Sequence, residues 1–223
     1  TSAISWRDYT LASAAYRASA EGCRHMAWWL ARLPLMPAPL SLPTAGANFG
    51  RATMELRALP ISAGTWRSVR RLAASHGLFV STVFYGAVAE AYALCSDCRH
   101  FLLSMMINQR TPFDADAEAR LLGNFANMLP LEVNFTAEAP FAQRLKALQA
   151  HVQLCIDHSN VSGIDVLSAL NRLRGTVGQP AIPYVVSWGS AVVYDNSWRG
   201  GALQYEVTET PQTAIDALLL PTT

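Results

Sequence analysis

A hydroxyl and a carboxylate near the C-terminal end are the residues with the clearest chemical potential. Ser187 closes the run Pro183-Tyr-Val-Val-Ser187, and Asp216 closes Thr210-Pro-Gln-Thr-Ala-Ile-Asp216. Each run reads as a strand, and two neighbouring strands can hold such a pair close together. A hydroxyl that orients a carboxylate is suited to moving protons at a reacting atom. Ser and Asp are also common strand-end residues, so the surrounding chain has to decide between the two readings.

Other reactive side chains read more simply. Cys95-Ser-Asp-Cys98, followed by His100, has the form of half a metal site. Zinc sites draw a second ligand pair at suitable spacing, and the nearest remaining thiol is Cys155, so no metal is expected there. The segment reads instead as a turn between a helix and a strand. Arg67, Arg70 and Arg71 form either a solvated helix face or a patch that meets an acidic partner. His158 lies at a helix end, where a capping or surface imidazole competes with a catalytic one.

These residues must be held by a chain of 223 residues, enough for one domain with a sizeable core. Its 51% hydrophobic and 15% charged content, with six Trp, describes much apolar surface to hide. Mean hydropathy is +0.17, in line with part of the surface being covered by another lobe. A net charge of +1 argues against a nucleic-acid partner, since phosphate binding needs clustered Lys and Arg. No run of about 18 apolar residues points to a membrane span, and no secretory signal opens the chain. Cys23, Cys95, Cys98 and Cys155 are too scattered for a disulfide framework, which fits a reduced, cytoplasmic setting. The chain opens at Thr1 without Met, as expected of a piece of a longer polypeptide.

The spacing of apolar residues predicts a long first helix from Ser5 or Asp8 through Leu33, stopped at Pro34. Pro34, Pro37, Pro39 and Pro43 then mark an extended surface connector. Alternation over 51–59 predicts a half-buried strand. A helix over 61–76, capped by Ser62 and stopped by Gly77, precedes a more apolar one over 80–94 begun at Ser81-Thr82 and carrying Glu90. Strands are expected at 101–107 and 131–135, with Gly123 supplying a backbone conformation barred to other residues. Helices over 141–158 and 163–174 follow, the second entered through Ser162-Gly163 and ended by Gly175 and Gly178. This order describes an α/β sandwich with a mixed sheet, its antiparallel neighbours falling at C-terminal hairpins.

Taken together, seven blocks resemble one family. They are Ser5-Trp-Arg-Asp-Tyr9, Leu35-Met-Pro-Ala-Pro-Leu-Ser-Leu-Pro43, Phe101-Leu-Leu103 to Arg110, Leu122-Gly-Asn-Phe125, Asp157-His158 with Ser162-Gly163, and the two C-terminal runs. In order and spacing they are similar to the C-terminal half of a heterocyclisation domain, the condensation-domain relative of nonribosomal peptide synthetases. The resemblance covers nearly the whole of 1–223 as a single domain.

The resemblance implies a chloramphenicol-acetyltransferase-like sandwich lobe with a mixed sheet and flanking helices. An N-terminal lobe, absent here, would complete a V with a tunnel between the two. Peptidyl and aminoacyl carrier proteins would deliver thioesters on phosphopantetheine arms, the domain holding no cofactor of its own. The implied reaction is amide formation with Cys, Ser or Thr, then side-chain attack and loss of water to a thiazoline or oxazoline. Family roles in cyclodehydration map onto Ser187 and Asp216, and Ser104, Asn124, Thr210 and Gln212 would line the substrate channel. Four positions depart from the family pattern. Ser187 replaces Thr, Gly123-Asn-Phe-Ala126 replaces Gly-Asp-Phe-Thr, Ala217-Leu218 replaces His-Gln, and Ser104 replaces Asn. Asn127-Met-Leu-Pro-Leu131 is closer to an ordinary condensation domain. A second reading is a catalytically silent lobe that docks carrier proteins or a partner enzyme through exposed apolar surface such as Trp28-Trp29.

Overall fold

The structure is a computed structural model that describes residues 4–43, 55–109, 121, 123–189 and 212–220. Six α-helices and four strands are formed by these residues. They are α1 (Trp6–Ala18), α2 (Ala20–Arg32), α3 (Ala63–Ser75), α4 (Val80–Ser96), β1 (His100–Asn108), β2 (Ala126–Asn134), α5 (Phe141–Asp157), α6 (Gly163–Arg174), β3 (Tyr184–Trp188) and β4 (Ile215–Leu219). The strands form one sheet in the order β2-β1-β3-β4. β1 runs antiparallel to β2, while β1 with β3 and β3 with β4 are parallel. The fold is therefore α/β with a mixed sheet, as expected. The two described closing strands, β3 and β4, are parallel to each other, and the connection in which C-terminal hairpins were expected lies at 190–211, outside the described residues.

Helices cover both faces of the sheet. On one face Trp188 of β3 stacks on Trp66 of α3, and Tyr184 packs against Tyr92 of α4. On the other, Glu132 of β2 meets Arg32 of α2 at 3.5 Å, and α2 packs against α6. The core cluster is built on the first face by Phe101, Leu103, Met105, Leu129, Leu131 and Val186. The Arg144 guanidinium of α5 pairs with Glu90 of α4, which satisfies the one acidic residue of that apolar helix. Among the described residues no single helix is long and apolar enough to cross a membrane.

Most helix ends lie where their side chains dictate. Ser5 and Asp8 form a reciprocal cap on α1, Ser62 accepts from Thr65 N at 3.0 Å, and Ser162 accepts from Asp165 N at 3.2 Å. Gly77 and Gly175, both at φ +67, end α3 and α6 in the left-handed region. The expected first helix is broken in two at Ser19. Its backbone is extended, and its hydroxyl accepts from Gly22 N at 3.1 Å while donating to Tyr16 O at 2.6 Å. A Cβ on Gly22 would overlap the last turn of α1, so glycine is what lets the corner close.

Other expectations were met in part. α4 begins at Val80 with no side-chain cap, and Phe79 N donates to Gln149 Oε1 at 2.7 Å instead. Thr82, expected at the start of this helix, is buried within it. The Pro-rich run is more than a surface connector. Pro39 bridges Leu102 of β1 in parallel, and Met36 and Leu40 are buried. Proline is tolerated there because the bridge uses its neighbours, Leu102 N donating to Ala38 O at 3.1 Å and Leu40 N to Leu102 O at 3.4 Å, and asks no N–H of Pro39. β2 starts five residues before the expected strand and carries Pro130, on an outer strand of the described sheet. Of the strand expected over 51–59, residues 51–54 lie outside the described residues, and 55–59 run exposed with no ladder partner among them.

Gly123 serves packing rather than backbone freedom. It does not lie at positive φ, but a Cβ there would overlap the Trp6 ring. Trp6, Tyr9 and Phe125 form an aromatic clip, with centroids 5.0–5.4 Å apart, that fastens α1 to the start of β2. Trp6 is 42% exposed and can yield. Gly123→Ala is therefore expected to cost only about 1 kcal/mol, at the low end for overpacking. In a Trp6→Ala background the same change should cost nothing further. Urea midpoints of the four variants check this coupling.

Candidate functional site

β3 and β4 form because Tyr184-Val-Val and Ile215-Asp-Ala-Leu place branched and aromatic side chains on a pleated surface. Their pairing is pinned at both ends. Ala214 N donates to Pro183 O at 2.7 Å, and Gly189 N donates to Leu219 O at 2.9 Å. In this register Asp216 lies opposite Val185, and Ser187 opposite Leu218. Side chains of Ser187 and Asp216 thus share a face on adjacent rows, and Ser187 Oγ donates to Asp216 Oδ1 at 3.2 Å. Ser187 is buried and Asp216 partly exposed, so the carboxylate is the more accessible member.

The same face continues into β1, where Ser104 lies opposite Val185 and Met106 opposite Ser187. Ser104 is therefore diagonal to Ser187, and both are buried hydroxyls. The other expected channel residues are not brought to this place. Asn124 precedes β2, whose first residue pairs with the last of β1. Gln212, at φ +61, precedes β4, whose first residue pairs with the first of β3. Because β1 and β3 are parallel, these two residues lie at opposite ends of the sheet. Asn124 is exposed, and its Oδ1 accepts from Ala126 N at 3.0 Å, a local turn contact. Thr210 lies outside the described residues.

Tyr92, which sequence reasoning did not single out, packs behind this pair against Tyr184, on the opposite face of the sheet. Burial pushes its phenol up to about 12, with the nearby Tyr184 and the Asp216 carboxylate adding to the effect. It stays a neutral phenol at physiological pH. Only its tyrosine identity on the apolar face of α4 signalled it, and that signal does not separate a core residue from a site residue.

The remaining reactive residues have other partners. His158 follows α5, its Nδ1 3.1 Å from His25 Nδ1 and its ring stacked 4.2 Å from Trp28. Burial, and then the neighbouring His25, hold its imidazole below the ordinary histidine value. Trp29 is fully buried and donates Nε1 to the His158 carbonyl at 2.8 Å. The tandem tryptophans are thus an internal clamp between α2 and the α5–α6 turn, not the exposed docking surface expected of them. Cys98 Sγ donates to His100 O, while His100 Nε2 meets Glu132 at 2.8 Å, so thiol and imidazole turn to separate partners. Among the described residues no three His, Cys, Asp or Glu side chains converge on a metal position.

Asn127 organises the region beside the site. Its Nδ2 donates to Gln109 Oε1 at 2.6 Å and Val161 O at 2.9 Å, and its Oδ1 accepts from Gly163 N at 2.8 Å. One amide thereby joins the end of β1, the start of β2 and the first turn of α6.

Comparison with known proteins sets this geometry in a family. The family model described as Condensation domain matches residues 1–210. Pyochelin synthetase PchE of Pseudomonas aeruginosa (strain UCBPP-PA14) is 30% identical over 218 residues, covering 96% of this chain and 15% of that protein. Phenyloxazoline synthase MbtB of Mycobacterium sp. (strain MCS) is 28% identical over 204 residues, covering 87% of this chain and 17% of that protein. The EpoB cyclization-docking bidomain from Sorangium cellulosum superimposes with a TM-score of 0.83 at 27% identity, over 98% of this chain and 44% of that one.

Proposed function

The chain belongs to the condensation-domain family, and on that premise we propose that it is the C-terminal lobe of a heterocyclisation domain in a nonribosomal peptide synthetase. The observation that carries this reading is the Ser187–Asp216 contact at 3.2 Å, made between the last two strands of the described sheet. It is supported by the similarity to a phenyloxazoline synthase and a cyclization bidomain, whose names denote ring formation. The chain spans 15% of the pyochelin synthetase it matches, so the whole protein's activity and partners are part of the proposal.

In this reading two carrier proteins present phosphopantetheine thioesters to a tunnel completed by an N-terminal lobe. The acceptor amine attacks the donor thioester, and a thiol leaves. The Cys, Ser or Thr side chain of the new amide then attacks its carbonyl carbon. The heteroatom bonds to that carbon as its proton passes by way of Asp216 to the carbonyl oxygen, giving a hydroxyl. Asp216 then takes the amide N–H proton and returns it to this hydroxyl, so that the C=N bond forms as the C–O bond breaks and water leaves. Ser187 donates to Oδ1 and so fixes the plane of the carboxylate. Replacement of the family's Thr by Ser keeps the hydroxyl while giving up the stiff branched rotamer. The lobe supplies one wall of the tunnel, so turnover belongs to the two-lobed domain.

The reading is tested with the intact synthetase module and loaded carrier proteins. The expected product is lighter than the linear amide by one water. A linear amide alone, formed at an undiminished rate, contradicts ring formation and leaves condensation as the activity.

A further inference from the structure

We propose that Met106 and Leu218 select the donor acyl group, favouring an apolar aryl or branched alkyl substituent on the reacting carbonyl. The inference rests on the function proposed above. Its basis is the strand register. Met106 of β1 lies opposite Ser187 of β3, which in turn lies opposite Leu218 of β4. Paired residues share a face, and adjacent strands are about 4.8 Å apart, so a thioether and an isobutyl group flank the Ser187 hydroxyl on either side.

Neither side chain is used by the fold's interior. Leu102 joins the core cluster from this face, whereas Met106, Val185 and Leu218 do not. Leu218 is 37% exposed and Met106 partly exposed, in contrast to Ser104, Val185 and Ser187 beside them on the same face, which are almost fully buried. Apolar side chains left accessible beside a hydroxyl and a carboxylate are available to a substrate.

Chemistry assigns that substrate part. The carbon under attack in ring formation is the donor's carbonyl carbon, and Asp216 serves the atoms bonded to it. The group attached directly to this carbon is the donor's side group, so it falls next to the residues that frame Ser187. The acceptor contributes the attacking heteroatom, whose identity is already limited to Cys, Ser or Thr. A charged donor group would lose hydration against the thioether of Met106 and the isobutyl group of Leu218.

The test uses the intact synthetase with donor carriers loaded with benzoyl, acetyl or succinyl groups. The wild type is expected to prefer benzoyl over acetyl, with succinyl poorest. Met106→Ala and Leu218→Ala should each lower the benzoyl-to-acetyl ratio of kcat/KM by about 10-fold, the scale set by a few methylene contacts. Leu218→Trp fills the same space and should move the preference towards acetyl, and Leu218→Met should leave it unchanged. Thermal midpoints identify any variant that has merely lost structure, and the volume-conserving Leu218→Met keeps the comparison on a folded protein. An acyl preference identical in all variants overturns the proposal, as does a wild type that prefers succinyl. The ratio can be read on amide formation alone, so absence of ring product would count against the function proposed above and leave this inference standing.

Discussion

Asp216→Asn in the intact synthetase lowers ring formation by about 10²- to 10⁴-fold while the linear amide continues to form, the range lost with a general acid–base group. The substitution keeps shape and one accepting oxygen, so Ser187 Oγ can still donate across the 3.2 Å it spans in the native pair. What disappears is the ability to take and return a proton. Asp216 is only partly buried on β4, at the edge of the described sheet, which leaves stability little changed. Rates are compared by mass spectrometry of the linear and cyclised products under single-turnover conditions. Ring formation at the wild-type rate removes Asp216 from the mechanism.

Gly163→Ala is the substitution with the largest expected cost in stability, about 3 kcal/mol, the upper part of the range for overpacking. A Cβ at this position would overlap the Met128 carbonyl oxygen and Asn127 Oδ1. The first is backbone of β2, and the second is held by Gln109, Val161 and the Gly163 N–H itself. Neither obstacle is the free end of a flexible chain, so relief requires α6 to move away from β2. That movement also costs the cap contact at Gly163 N. For a domain of this size the loss corresponds to a fall of about 6–12 °C in thermal midpoint. Asn127→Ala removes part of the same network, so the two changes should combine less than additively. A midpoint unchanged by Gly163→Ala contradicts this packing account.

How far these features were legible in advance depended on whether the physics was local. Helix starts at Ser5, Ser62 and Ser162, and stops at Gly77 and Gly175, are set within four residues of chain, and spacing predicted them. The break at Ser19 is local too, but it interrupts no apolar periodicity, and its cause is the close approach of Gly22 to the preceding turn. Gly123 was singled out for the wrong reason, because its obstacle is Trp6, more than a hundred residues earlier. The tandem Trp28-Trp29 read as exposed apolar surface. On a helix, consecutive residues point about 100° apart, and one side chain entered the core while the other stacked on His158.

Partner choice in the sheet was the least legible. An apolar strand does not state which neighbour it takes, and neither the antiparallel pairing of β1 with β2 nor the parallel pairing of β3 with β4 was specified by spacing. The proximity of Ser187 and Asp216 did not depend on strand direction, since a shared face needs only adjacency and register. Ser104 joined them because β1 is the next strand, whereas Asn124 and Gln212 were separated because the loops carrying them leave opposite ends of the sheet. Tyr92 comes from α4, and no spacing in the sequence relates it to a strand more than a hundred residues later.

The central claim is that the Ser187 hydroxyl and the Asp216 carboxylate act as one unit in ring formation. A double-mutant cycle with Ser187→Ala and Asp216→Asn, read on the single-turnover rate of cyclisation, tests it most directly. The account predicts that the double variant is about as slow as Asp216→Asn alone, because the hydroxyl works only through the carboxylate. Effects of the two changes that multiply as independent losses would contradict it.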